Sequence, residues 1–186
     1  MIRAFIAIKL DPQTVEQISE AVDDLKPRIG NIRWVSPTNF HFTLKFLGNI
    51  EEDKIAPIAQ ALELELQPFP RFSINAKGLG VFPDLKRPRV LWVGLQAKAL
   101  SALVAKVESV LEPLGFAREK RAFQPHLTIG RWRQFDRASS RFGEELERWQ
   151  GHEFGASPVA EVIFFQSELK QAGAIYHPLK VIALAQ

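Results

Sequence analysis

His41-Phe42-Thr43-Leu44 and His126-Leu127-Thr128-Ile129 share one pattern, polar and apolar in alternation, in opposite halves of a chain of 186 residues. In an extended strand, residues two apart point to the same side. Each stretch therefore reads as a strand that sends its histidine and threonine to one face. Phe42 and Leu44, or Leu127 and Ile129, enter a core on the other. The chain holds only 4 His and as many Thr, for which chance expects roughly 0.1 His-x-Thr match. Two matches outweigh a lone motif.

Outward from these stretches the two halves echo one another, each with a helix, a break containing proline and then a His-x-Thr strand. Ile2 to Ile8 reads as a strand. Asp11-Pro12 supplies an N-cap and a first-turn proline to a helix carrying Val15, Ile18, Val22 and Leu25, and Pro27 with Gly30 ends it. Ile32 to Val35, the break Ser36-Pro37-Thr38-Asn39 and the strand Phe40 to Leu47 follow, closed by Gly48. A second helix carries Ile55, Ile58, Leu62 and Leu66, with Pro57 implying a later start or a kink. Phe72 to Ala76 and Val90 to Leu95 read as strands around a long loop, Gly78 to Arg89. A third helix runs from Leu100 through Leu114 to Gly115. After the second motif, in Phe123 to Arg131, come a charged helix from Arg137 to Trp149 and strands at Val159 to Gln166 and Ile175 to Leu184. Strands do not alternate one-for-one with helices, so the expected class is α+β, with antiparallel sheets and helices on one side.

Composition narrows the chemistry. With 46% hydrophobic residues the chain can bury a core as one domain, residues 1–186. The absence of cysteine excludes disulfides, thiolate nucleophiles and thiolate zinc sites. The apolar N-terminal stretch is too short for a membrane span and lacks a cleavage pattern, so a cytoplasmic protein with no membrane partner is expected, and a monomer. A net charge of +3 attracts polyanions mildly. No Gly-x-Ser-x-Gly elbow or phosphate-cradling glycine loop is present.

Two His-Thr pairs suit displacement at phosphorus: one imidazole takes a proton from water while the other protonates the departing oxygen. An ordinary pKa near 6.5 lets one ring be neutral and the other charged at one pH, without a metal or other cofactor. Each threonine hydroxyl can donate to a non-bridging phosphate oxygen. The plainer reading is a pair of buried strand histidines beside β-favouring threonines. His41 and His126 lack neighbouring carboxylates at metal-ligand spacing, so no metal is expected, and His152 and His177 lack the threonine and read as surface or loop residues.

Here the chain resembles the 2H phosphoesterases, and within them the RNA 2',3'-cyclic phosphodiesterases once called 2'-5' RNA ligases. The resemblance rests on Arg3-Ala4-Phe5-Ile6-Ala7, Trp34-Val35-Ser36-Pro37, His41 to Gly48, Phe82-Pro83, Pro88 to Trp92 and Pro125 to Arg131. It implies a bilobal α+β fold of two pseudo-symmetric lobes, with both motifs facing a central groove. It also implies hydrolysis of a 2',3'-cyclic phosphate on an RNA or oligonucleotide end to a 2'-phosphate, with reversible 2'-5' ligation as a companion activity. His41 then resembles the proton donor to the 3'-oxygen and His126 the base that activates water, with Thr43 and Thr128 holding the phosphate.

Beyond the motifs, Lys45 falls on the face of His41 and Thr43 by strict alternation and is a candidate to meet phosphate, with a solvated lysine at the strand end as the equal alternative. Arg131 falls opposite His126 unless the strand twists, bulges or ends at Gly130. Phe5 and Phe82, with Trp34 and Phe123, are candidates for base stacking, and Lys86, Arg87, Arg89, Arg118, Lys120 and Arg121 for the RNA backbone. The competing readings are a non-catalytic module that binds RNA ends and a cyclic phosphodiesterase of a small nucleotide metabolite.

Overall fold

The computed structural model describes residues 1–120, 122–133, 142–171 and 173–186. In chain order these form β1 (Ile2–Ile8), α1 (Pro12–Leu25), β2 (Ile32–Trp34), β3 (Phe42–Ile50), α2 (Ile55–Leu66), β4 (Phe72–Phe82) and β5 (Val90–Gln96), then α3 (Lys98–Leu111), β6 (His126–Trp132), α4 (Phe142–Trp149), β7 (Glu153–Val159), β8 (Glu161–Lys170) and β9 (Gly173–Ala183). Sheet A has the order β3-β1-β8-β9 and sheet B the order β2-β6-β5-β4-β7. Every strand pair in them is antiparallel, as the α+β reading requires.

Neither sheet belongs to one half of the chain. β1 joins β3 to the later β8 and β9, while β5 joins β6 to the earlier β4. The helices cross over as well: α2 and α3 pack on sheet A, α1 and α4 on sheet B. Ion pairs fasten the helices, Lys106 to Glu65 between α3 and α2 and Arg148 to Asp24 at 3.0 Å between α4 and α1. No helix among the described residues is long and apolar enough to cross a membrane.

β1 shows why the sheets sit as they do. Ala4, Ile6 and Ile8 enter the main core under the helices, whereas Phe5 and Ala7 join a separate cluster with Ile163, Phe165 and Tyr176 on the opposite face. A central strand covered on both sides reads as a continuous apolar run, and each fully buried Ile or Phe contributes about 1.5–3 kcal/mol.

The start of α1 follows its cap. The Asp11 carboxylate accepts from the N–H groups of Gln13 (3.0 Å) and Thr14 (3.2 Å), with Pro12 beginning the helix. Pro57 causes neither a later start nor a kink, because it lies in the first turn of α2, where its missing N–H has no intrahelical partner. The first five residues of the expected loop from Gly78 to Arg89 are strand, since β4 continues to Phe82, and the loop itself is shortened to residues 83–89. Gly78, at φ 70°, marks a bulge, and a Cβ on Gly80 would run into the Trp92 indole. Those glycines make room for backbone and ring rather than end the strand. β7 was not expected. Of the expected charged helix, Phe142 to Trp149 is helical; Arg137 to Arg141 lie outside the described residues, as does Arg121.

Candidate active site

His41 stands one residue before β3 and His126 opens β6. Their settings match. Each ring places Nδ1 at 2.7 Å from a backbone carbonyl two residues earlier, Asn39 O for His41 and Gln124 O for His126. A carbonyl only accepts, so Nδ1 carries the proton in both rings and Nε2 is the nitrogen without the backbone anchor. Asn39 is itself held, its side-chain amide donating to Ala174 O at 2.8 Å on β9. Each imidazole also packs on a phenylalanine at 4.9 Å between centroids, Phe5 for His41 and Phe82 for His126. A second aromatic completes each setting: Tyr176 edge-on to His41 at 5.0 Å, Trp92 at 6.3 Å from His126.

The two strands share a further device. Opposite β1, Ile6 pairs with Lys45 and Ala7 with Thr43, so Leu44 is an extra residue; opposite β5, Leu91 pairs with Gly130 and Trp92 with Thr128, so Ile129 is extra. Both bulges fall three residues after the histidine, and each reverses the alternation beyond it. Thr43 and Thr128 remain half-buried on the histidine face. Past the bulge, the fifth residue after each histidine returns to that face: Phe46 opposite Phe5, and Arg131 opposite Val90, which shares a face with Trp92.

The bulges decide where two expected substrate residues lie. Arg131 is exposed on the face of His126, the arrangement for which a bulge was required. Lys45 is not on the face of His41. Leu44 turns it toward Ile6 and the helix side, where its ammonium donates to Glu108 at 2.9 Å and to Ala117 O at 2.6 Å. It joins β3 to α3, and the Glu108 carboxyl, though penalised by partial burial, is held below its usual range by the Glu119 N–H and Lys45. Phe5 and Phe82 lie at the site as supports of the imidazoles. Trp34 and Phe123 are half-buried against the main core. Lys86, Arg87, Arg89 and Lys120 are exposed, while Arg118 pairs with Glu112 at 2.9 Å. His152 and His177 are exposed away from the motifs, the latter 3.1 Å from Glu168.

Burial lowers the pKa of both motif histidines, and the carbonyl bonds only partly offset it. The positive charge of Arg131 lowers both further, and Lys9 adds to the effect at His41. One cation from β6 thus acts on both rings, and the two motif strands β3 and β6 pack against one another although they belong to different sheets. Tyr176, raised by burial, feels Arg131 and also Arg3. Tyr176, Trp92 and Phe46 escaped the sequence reading. Tyr176 is the chain's only tyrosine, and Trp92 lies opposite Thr128, but neither carries a motif of its own.

Comparison with known proteins agrees with this duplicated arrangement. The model of the family described as LigT-like phosphoesterase matches residues 8–92 and again residues 93–176, one motif in each stretch. A Methanothermobacter thermautotrophicus protein named RNA 2',3'-cyclic phosphodiesterase is 35% identical over 184 residues, covering 98% of this chain and 99% of its own. An Aquifex aeolicus protein of the same name is 35% identical over 183 residues, with 95% and 94% covered. The crystal structure of a Thermus thermophilus protein shares the fold, with a TM-score of 0.84 at 24% identity over 98% of this chain and 97% of that one. With both His-x-Thr strands matched in sequence and set alike in space, the chain belongs to the LigT-like phosphoesterase family.

Proposed function

We propose that this protein hydrolyses a 2',3'-cyclic phosphate on an RNA or oligonucleotide end to a 2'-phosphate, as an acid-base enzyme that works with two histidines. The observation that carries the reading is the matched pair of Nδ1-anchored imidazoles under the charge of one arginine. The names of the relatives point to the same substrate class.

In this reaction the neutral Nε2 of His126 takes a proton from water as its oxygen attacks phosphorus. The bond from phosphorus to the 3'-oxygen breaks, and Nε2–H of a protonated His41 delivers a proton to that oxygen. The product is a 2'-phosphomonoester with a free 3'-hydroxyl. Thr43, Thr128 and Arg131 donate to the non-bridging oxygens, whose charge grows in the transition state. Burial disfavours the charged form of both rings in the free protein, and the bound phosphate anion favours the proton on His41. With the 5'-hydroxyl of a second RNA end in place of water, the same displacement joins a 2'-5' bond without a nucleotide cofactor. A cytoplasmic location and a monomeric state belong to the same proposal.

The test is product analysis after incubation with a 2',3'-cyclic nucleotide in excess chelator. The expected product is the 2'-phosphate alone. A 3'-phosphate would exchange the roles of the two histidines, and binding of RNA ends without turnover would favour the non-catalytic module.

A further inference from the structure

The two half-sites coincide through histidine, threonine and bulge, then part at the fifth residue, where one carries Arg131 and the other Phe46. Phe46 is 63% exposed on edge strand β3, with its ring 6.2 Å from Phe5, which in turn packs on His41. A large apolar ring left open at the rim of a phosphate site has the shape and chemistry of a stacking platform. One row further along the same face, Arg3, Ser167 and Tyr176 are cross-strand neighbours. Arg3 is exposed and forms no ion pair among the described residues. Its charge reaches Tyr176, its neighbour across Ser167. Along β1, Arg3 lies four residues from Ala7, the partner of Thr43, about 13 Å of strand. A nucleoside extended by the reach of an arginine side chain fits that interval.

Resting on the proposed reaction, we infer that sheet A holds the terminal nucleotide beyond its cyclic phosphate: Phe46 stacks on the base, and Arg3 binds the phosphate on its 5' side. The site would then favour an RNA end over a free cyclic nucleotide, because only the former carries that second phosphate.

A minimal substrate pair tests this: adenosine 2',3'-cyclic phosphate with and without a 5'-phosphate. At low salt the 5'-phosphorylated compound should have a kcat/KM about tenfold higher, and Arg3→Gln should bring the ratio close to one. A parent ratio near one, or a ratio that Arg3→Gln leaves intact, overturns the assignment of Arg3. Phe46→Leu should raise KM about tenfold with a smaller change in kcat, and Phe46→Trp should restore it. An equal loss on methyl riboside 2',3'-cyclic phosphate, which has no base, overturns the stacking role. Should the parent turn over neither substrate, the reaction fails but the subsite is still read by calorimetry: adenosine 2',5'-bisphosphate should outbind adenosine 2'-phosphate by a similar factor, and equal affinities overturn it.

Discussion

The half-site around His41 and the half-site around His126 are built by the same backbone and finished by different side chains. Both hold Nδ1 at 2.7 Å, both rest the ring on a phenylalanine at 4.9 Å, and both bulge three residues later. Around His41 the finish is Tyr176, Phe46 and the nearby charge of Lys9; around His126 it is Trp92 and Arg131. Backbone geometry thus supplies two equivalent imidazoles in unlike surroundings, and in the proposed reaction that unlikeness would set which donates and which accepts.

The largest effect should come from removing one ring at a time. His41→Ala and His126→Ala should each lower kcat by about a thousandfold, and each should abolish a different limb of the bell-shaped pH profile. Loss of the same limb in both variants breaks the division of labour.

Arg131→Gln tests what the halves share. It should reduce kcat/KM by about a hundredfold. Because the arginine lowers the pKa of both histidines, its removal should move both limbs of the kcat/KM profile to higher pH. In the parent, with both rings below the usual 6.5, the optimum for free enzyme and substrate should lie on the acid side of that value. A shift of only one limb would mean that the arginine serves one half alone.

Lys45→Met separates support from chemistry. The Lys45–Glu108 pair, with side chains 10% and 13% exposed, should contribute about 1–3 kcal/mol, read as a lowered midpoint in denaturant, with kcat/KM on a cyclic nucleotide within about twofold of the parent. The Glu108 share is linked to pH: its folded pKa is depressed, so its contribution is present above the unfolded value and is lost as pH falls through the folded one. A much larger loss of activity than of stability would return Lys45 to the phosphate.

The smallest effect belongs to Gly80→Ala, which forces the Trp92 indole aside at a cost of about 1–2 kcal/mol and disturbs the His126 half while sparing its counterpart. Equal shifts of the His41 and His126 ring resonances in NMR spectra would contradict that locality.

The elements that shape the site were legible where one periodicity held. Asp11-Pro12, the apolar steps of α1 and α3 and the two motif strands reveal themselves because capping, helical period and alternation act within a few residues. Bulges are not written in that code. Leu44 and Ile129 look like any apolar strand residue, yet each reverses the faces beyond it, so alternation misplaced Lys45 and left Arg131 open. Glycines misled for a related reason: Gly78 and Gly80 resemble a loop unless the ring of Trp92, supplied by the neighbouring strand, is taken into account. Tyr176 and Phe46 gain meaning only from partners distant in the chain.

That distance also orders events at the ribosome. The floor beneath His41 is the pair Phe5 and Phe165, stacked at 5.3 Å, and β8 is the strand that bridges β1 to β9. A nascent chain that has already exposed both motifs still lacks this floor, together with the Ala174 carbonyl that restrains Asn39. The setting of His41 is therefore complete only once β8 and β9 have been synthesised, and a chain cut between residues 92 and 93 would recover it only by fragment complementation.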